Sequence, residues 1–194
     1  KHAKKINGYF ELTLNSSDKI QCNYLINASG LHTEDVANRI EEINLPKIKT
    51  VMYAKGHYYL YKKKNPFKHL IYPLPHSNGH GIHAGMDIEN NLRFGPNAKW
   101  VDSIEYSFDE NTLDEFCNSI KSYWINFDPS CLTPDYSGIR SKTVAEGEGS
   151  QDFEILDASD HGLENLIHLQ GIDSPGLTSS LSIAAEVISK LGIH

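Results

Sequence analysis

The sequence predicts an α+β protein, α/β in character at its two ends and an antiparallel sheet with one helix between them. Three observations carry this. Residues 25–40 and 163–192 each read as strand, glycine-bearing turn and helix. The stretch 51–94 is rich in Tyr, Ile and His, with Pro and Gly as punctuation. One middle segment, 111–127, has apolar residues at helical spacing.

The chain opens with Asn7-Gly8, a two-residue turn signal, followed by Phe10, Leu12 and Leu14 alternating with polar neighbours as in a half-buried strand. A second turn, Ser16-Ser17-Asp18, precedes Ile20, Cys22 and the run Tyr24-Leu25-Ile26, which reads as a strand buried on both faces. Asn27-Ala28-Ser29-Gly30 ends it with small residues that allow close approach to the backbone. Thr33 is placed to cap a helix carrying Glu34 and Asp35 at its positive end and Val36, Ala37 and Ile40 as its apolar stripe.

The middle region reads as antiparallel strands, with Lys55-Gly56-His57-Tyr58-Tyr59-Leu60-Tyr61 and Leu70-Ile71-Tyr72-Pro73-Leu74-Pro75 joined by turns at Asn65-Pro66 and Ser77-Asn78-Gly79. An Asn111 cap precedes Leu113, Phe116, Cys117, Ile120, Tyr123 and Trp124, a core-facing helical stripe, and Pro129 and Pro134 close the segment. Residues 150–164 read as an acidic loop in which Asp152, Glu154, Asp157 and Asp160 form a solvated face. In the C-terminal unit the strand Leu166 to Leu169 breaks at Gly171. Ser174 then serves as N-cap and Pro175 suits the first helical turn, with Leu177, Leu181, Ala184, Ala185, Ile188 and Leu191 on one face and Gly192 at the end. That helix start presents free N–H groups to anything above the strand end, though the pattern is equally that of a structural corner.

Composition narrows the classes. The 194 residues suffice for one large core or two small ones, and a formal net charge of -7 argues against a nucleic-acid surface despite the Lys62-Lys63-Lys64 run. Cys22, Cys117 and Cys131 are far apart and lack C-x-x-C spacing, which fits a reducing cytoplasm rather than a disulfide or zinc framework. No apolar run is long enough to span a bilayer. The chain starts without Met and enters strand-like sequence almost at once, so it reads as a piece of a longer protein.

Gly79-His80-Gly81-Ile82-His83-Ala84-Gly85 is not a nucleotide loop, because Met86 to Asn91 continues as strand and turn rather than helix. His76, His80 and His83 lack an acidic partner at recurring spacing, and no metal site is expected. Arg140, in Tyr136-Ser137-Gly138-Ile139-Arg140-Ser141-Lys142, is more informative. A guanidinium among apolar and glycine neighbours stays charged when desolvated and can grip a carboxylate with two parallel hydrogen bonds; an ion pair within the fold is the structural alternative.

Several stretches, in order along the chain, together resemble one family: N-A-S-G-L-H-T at 27–33, K-G-H-Y-Y at 55–59, L-I-Y-P-L-P at 70–75, G-I-H at 81–83, R-F-G-P-N at 93–97, Y-S-G-I-R-S-K at 136–142 and G-I-D-S-P-G-L-T-S-S-L at 171–181. The family is that of FAD-dependent oxidoreductases of the glycine oxidase and D-amino acid oxidase superfamily, with the likeness strongest to its L-2-hydroxyglutarate dehydrogenase or oxidase branch. The resemblance implies flavin domain over 1–45, an antiparallel-sheet substrate domain over 46–134 and a return to flavin domain over 135–194. The G-x-G-x-x-G unit that grips the adenosine and pyrophosphate is absent from these residues, so this chain alone is expected to bind FAD weakly or not at all.

By the same resemblance Asn27, Ala28 and Gly30 lie along the cofactor. Gly171, Ile172, Ser174, Pro175, Gly176, Leu177 and Thr178 lie against the flavin ring, where a helix N-terminus stabilises the negative charge of the reduced form. Arg140 falls on the position that binds the substrate carboxylate. The implied reaction is oxidation of a small 2-hydroxy acid, with the C2 hydrogen leaving as hydride and a base taking the hydroxyl proton. His83 is the first choice for that base and His57 the second, with Lys55, Tyr58 and Tyr72 lining the pocket. Oxygen or a quinone is the implied electron acceptor, with a peripheral membrane contact in the quinone case; nucleic acid is not an expected partner, and the sequence leaves oligomeric state open. Three other readings stand beside this one: a non-catalytic carboxylate-binding or assembly module, an amino acid oxidase, and a metal-dependent hydrolase built on the histidines.

Overall fold

The computed structural model describes residues 2–74, 81–149 and 151–193. The fold is α+β, as expected, and divides into two compact units: the segments up to Met52 and from Ser141 form one, and Tyr53–Arg140 form the other.

In the first unit, β1 (His2–Ile6), β2 (Tyr9–Thr13) and β3 (Lys19–Cys22) form an antiparallel meander. The first hairpin closes at Asn7-Gly8, both at positive φ, which pairs Ile6 with Tyr9 and turns Phe10 wholly into the core. Next come β4 (Leu25–Asn27) and α1 (Thr33–Ala37). Ala37 and Ile40 are buried beside Ala3 and Phe10 with Val36 packed against them, as expected, but α1 stops at Ala37 and Ile40 reaches the core from beyond its end, in a bridge to Ala3. Thr33, however, does not cap it. Its hydroxyl donates to the Leu169 carbonyl at 2.7 Å, a partner 136 residues away, and no side chain caps α1.

In the second unit, β5 (Met52–Tyr61) is the central strand. β6 (Ala84–Met86), β7 (Leu92–Phe94) and β8 (Lys99–Val101) follow, with β6 antiparallel to β7, and β7 and β8 antiparallel to successive parts of β5. Among the described residues of the expected strand 70–75, Ile71 alone makes a bridge, to Ala84; Pro75, His76, the Ser77-Asn78-Gly79 turn and His80 lie outside the described residues. α2 (Leu113–Tyr123) buries Phe116, Cys117 and Ile120 against Tyr59, Tyr61, Phe94 and Phe127. Leu113 stays exposed because the chain enters through a 3-10 turn, capped by Asp109 rather than Asn111: the Asp109 carboxylate accepts the Asn111 N–H. β9 (Leu132–Lys142) then pairs with β5.

Back in the first unit, the acidic stretch is not a loop throughout. β10 (Glu154–Leu156) leads into α3 (Ala158–His161), where Asp157 and Asp160 form a reciprocal capping box and Asp157 also pairs with Lys190 at 2.7 Å. β11 (Leu166–Gln170) runs between β10 and β4, antiparallel to the first and parallel to the second. The buried-on-both-faces texture belongs to β11; β4 is the outer strand, with Ile26 exposed. α4 (Ser180–Lys190) begins five residues later than Ser174 as cap implies, because tight turns intervene: the Gly176 N–H donates to Asp173 O, Ser179 N–H to Pro175 O and Ser180 N–H to Leu177 O. The expected apolar face is displaced with it. Leu177 and Leu181 are 91% and 85% exposed, and Val187 is the residue that α4 buries.

The β4–β11 pair carries a buried polar contact. Asn27 Nδ2 donates to the Thr33 carbonyl at 2.9 Å and lies 3.0 Å from His168 Nδ1, with both residues buried. Burial holds the His168 imidazole down at about 4, from an ordinary value of 6.5. Between these two values the unfolded chain binds a proton that the folded chain refuses, so stability is full above about 6.5 and falls as pH is lowered towards 4. Urea unfolding of the chain at pH 7 and pH 4.5 is expected to show that loss, with a smaller loss in His168→Leu; an equal pH dependence in both proteins would contradict it.

Candidate functional site

The expected site residues fall in both units. In the first, β4 and β11 are parallel, with Leu25 opposite Leu166 and Asn27 opposite His168, so 28–30 and 171–178 leave from the same end of the same pair. Carboxyl ends of adjacent parallel strands are where α/β sheets bind ligands. Ala28 is exposed, and Gly30, at φ +58, has open space where a Cβ would stand.

The second loop is anchored from behind. Gln151 Nε2 donates to the Gly171 carbonyl at 2.9 Å and Gln151 Oε1 accepts the Thr143 N–H at 2.5 Å, while Lys142 is ion-paired with Asp173. Gly171 sits at φ +68, and a Cβ there would come to 3.1 Å of Gln151 Nε2 and 3.2 Å of Thr143 Oγ1. Ile172 is half-buried, Gly176 buried, and Ser174, Pro175, Leu177 and Thr178 exposed. A fixed, glycine-rich ledge with one exposed leucine and open small residues beside it suits the flat face and polar edge of a flavin, so these residues fit the cofactor that the sequence resemblance implies.

In the second unit the organising feature is a break in a strand. From Lys55 to Tyr59 there are four steps along β5, but their partners Lys99 and Phe94 are five apart. The extra residue bulges the chain at Gly95-Pro96-Asn97-Ala98, opposite Gly56-His57-Tyr58. Gly95 has φ +137, and a Cβ on it would lie 2.5 Å from the His57 carbonyl and 2.9 Å from the Tyr58 ring. The Gly95 N–H donates to the His83 carbonyl at 3.0 Å. Asn97 fills the gap in the ladder: its Oδ1 accepts the His57 backbone N–H at 2.8 Å.

Successive residues of a strand face opposite ways, and β5 divides the expected site residues accordingly. Gly56 and Tyr58 share one face with Arg140. A Cβ on Gly56 would meet Pro96 at 2.7 Å and Arg140 Nη2 at 3.2 Å, and the Tyr58 ring stacks on Tyr136 at 4.5 Å. Burial pushes the Tyr58 phenol up, which keeps it a neutral donor.

Lys55 and His57 face the other way. Lys55 is buried and paired with Glu105 at 3.2 Å, and His57, wholly buried, meets Phe108 edge-on at 5.0 Å. Ser107, through its hydroxyl and N–H, and then Lys55 draw Glu105 down to about 2. The structure therefore does not bring Lys55 together with Arg140 and Tyr58. His83 is half-buried against the ring of exposed Tyr72, centroids 4.4 Å apart. Among the described residues no group of three or more His, Cys, Asp or Glu is placed to hold a metal ion, and no helix is long and apolar enough to cross a membrane.

The two arginines of the unit contrast. Arg93 is paired with Asp87 and, at 2.5 Å, with Asp135. Arg140 is half-buried, and its contact is a 3.4 Å hydrogen bond from Nη2 to the Asn97 carbonyl; among the described residues no carboxylate pairs with it. Sequence reasoning missed Asn97, Glu105 and Gln151. Of these, only Asn97 had a local signal, the Gly-Pro-Asn turn chemistry inside a strand.

A family model described as FAD dependent oxidoreductase matches residues 2–190. The chain is 32% identical over 180 residues to the mitochondrial L-2-hydroxyglutarate dehydrogenase of Arabidopsis thaliana, covering 87% of this chain and 37% of that protein. It is 28% identical over 198 residues to a glycerol 3-phosphate dehydrogenase of Caloramator mitchellensis, covering 97% of this chain and 37% of that one. Among solved structures, the FAD-bound L-alpha-glycerophosphate oxidase of Mycoplasma pneumoniae superposes over 100% of this chain and 50% of its own with a TM-score of 0.81 at 16% identity, a likeness of fold. The chain thus spans well under half the length of these two relatives.

Pro96, the Asn97 carbonyl and Arg140 already fill the space beside Gly56, so Gly56→Ala forces an overpacked contact. It is expected to cost about 1–3 kcal/mol. Chemical denaturation checks this, and unchanged stability would mean that the bulge yields freely.

Proposed function

The chain belongs to the FAD dependent oxidoreductase family, and from that premise we propose that the whole protein oxidises a small 2-hydroxy acid of the 2-hydroxyglutarate type. The observation that carries the substrate class is Arg140, a half-buried guanidinium with no carboxylate partner among the described residues, in contrast to Arg93, which has two. A desolvated, unpaired cation is costly unless an anion completes it, and a guanidinium matches a carboxylate with two parallel bonds. The relative named L-2-hydroxyglutarate dehydrogenase supports a hydroxy acid over other carboxylates.

In this reading the first unit carries the flavin part and the second the substrate part. The 28–30 and 171–178 segments hold the cofactor, which when bound supplies the two-electron acceptor. Arg140 binds and orients the carboxylate, and Tyr58 donates from the same strand face. His83 takes the hydroxyl proton: its imidazole is half-buried against Tyr72, and its carbonyl is tied to the bulge that carries the Arg140 contact. His57 is less suited, being buried with Nδ1 engaged by Asn97.

In the complete flavoprotein, Arg140→Ala is expected to raise KM for 2-hydroxyglutarate by roughly 10- to 100-fold with FAD content unchanged, and Arg140→Lys to fall between. Steady-state kinetics with 2-hydroxyglutarate, lactate and glycerol 3-phosphate check the class; a preference for glycerol 3-phosphate would replace the carboxylate by a phosphate. His83→Gln is expected to slow substrate reduction of the bound flavin by about 100-fold or more in stopped-flow. An unaltered reductive step would remove His83 as the base.

A further inference from the structure

We propose that Asn97 is a positioning residue: by bridging the bulge, its side chain fixes the backbone carbonyl against which the Arg140 guanidinium rests. The proposal builds on Arg140 as the carboxylate grip but is testable apart from it.

The Asn97 amide is oriented by its partners. Nδ2 donates to Glu115 Oε2 at 3.0 Å, since a carboxylate only accepts, which turns Oδ1 towards His57. That oxygen accepts the His57 backbone N–H at 2.8 Å and lies 3.1 Å from His57 Nδ1. A carbonyl oxygen cannot donate, so His57 Nδ1 carries the proton and the neutral ring is the Nδ1–H tautomer. Its Nε2 is left bare, buried and without a hydrogen-bond partner among the described residues.

Three contacts therefore hold one side chain, linking α2 through Glu115 to the centre of β5 through His57. The same residue's carbonyl receives Arg140 Nη2 at 3.4 Å. Gly56 and Pro96 leave no slack around it, because a single added methyl at Gly56 would touch Pro96, Asn97 O and Arg140 together. Asn97 is 7% exposed, so water cannot readily replace its bonds. Without the side chain, the His57 N–H is orphaned in the ladder and the 95–98 segment is free to shift. The guanidinium then loses its one hydrogen bond among the described residues.

The test has two readouts. In the chain itself, 15N NMR is expected to report His57 with a protonated Nδ1 and a bare Nε2. In Asn97→Ala the ring is expected to average between tautomers and the Arg140 Nε–H to gain fast motion. An Arg140 signal indifferent to Asn97→Ala overturns the proposal, whatever the substrate. In the complete enzyme, Asn97→Ala is expected to raise KM about 10-fold with kcat within about 3-fold, and to add nothing in an Arg140→Ala background. Asn97→Asp sets two carboxylates against each other and is expected to behave like Asn97→Ala. Asn97→Asp combined with Glu115→Gln restores the donor and acceptor and is expected to recover KM; failure to recover it, or additivity with Arg140→Ala, overturns the positioning role. If instead Arg140→Ala leaves KM unchanged while the NMR coupling persists, the carboxylate reading fails and the anchoring stands.

Discussion

One hydrogen bond, from the His57 backbone N–H to Asn97 Oδ1, sets the geometry of the second unit's site. Inserting a residue into a strand leaves its neighbour with a buried donor that must be met. A side-chain amide meets it here, and everything near Arg140 adjusts to that choice. Gly95 must be glycine to pass the His57 carbonyl, Gly56 must be bare to admit Pro96 and the guanidinium, and His83 is tied in through the Gly95 N–H. Bulges commonly re-aim side chains beside active sites, and this one moves a carbonyl out of the ladder to meet a cation.

The first unit solves a different problem, keeping two loop-bearing strands parallel and in register over only three paired residues. Apolar packing alone specifies so short a pairing weakly. Asn27 and His168, opposite each other and both buried, add a directional contact, and the Thr33 hydroxyl and Leu169 carbonyl add another across the same joint. The loops at 28–30 and 171–178 inherit their common placement from these bonds, reinforced by Gln151 and by the ion pair of Lys142 with Asp173.

Much of this was legible from local pattern. Asn7-Gly8 announced its hairpin, the spacing of Phe116, Cys117 and Ile120 announced α2, and the apolar and glycine neighbours of Arg140 announced a partly buried guanidinium. What local pattern missed were partners remote in sequence. Thr33 looks like a cap until Leu169 is brought beside it, and Asp109 outcompeted Asn111 because the chain tightened into a 3-10 turn first. The start of α4 was misplaced because Ser174 and Pro175 carry start signals that a turn at Asp173 overrides. Lys55 and Tyr58, grouped as one pocket, lie on opposite faces of β5, a consequence of period two that only a known core-facing side can resolve.

The order β10, β11, β4 leaves β4 at the rim of its sheet among the described residues. Its Ile26 is open to solvent, and neither Lys nor Pro interrupts Leu25–Asn27. Natural sheets usually blunt such a rim, because a row of unmatched amides recruits other chains. Leu177 and Leu181 enlarge the sticky surface of the same unit. A rim of this kind is open to pairing with a further strand, and a net charge of -7 opposes pairing between copies of the chain least in high salt, where mutual repulsion is screened.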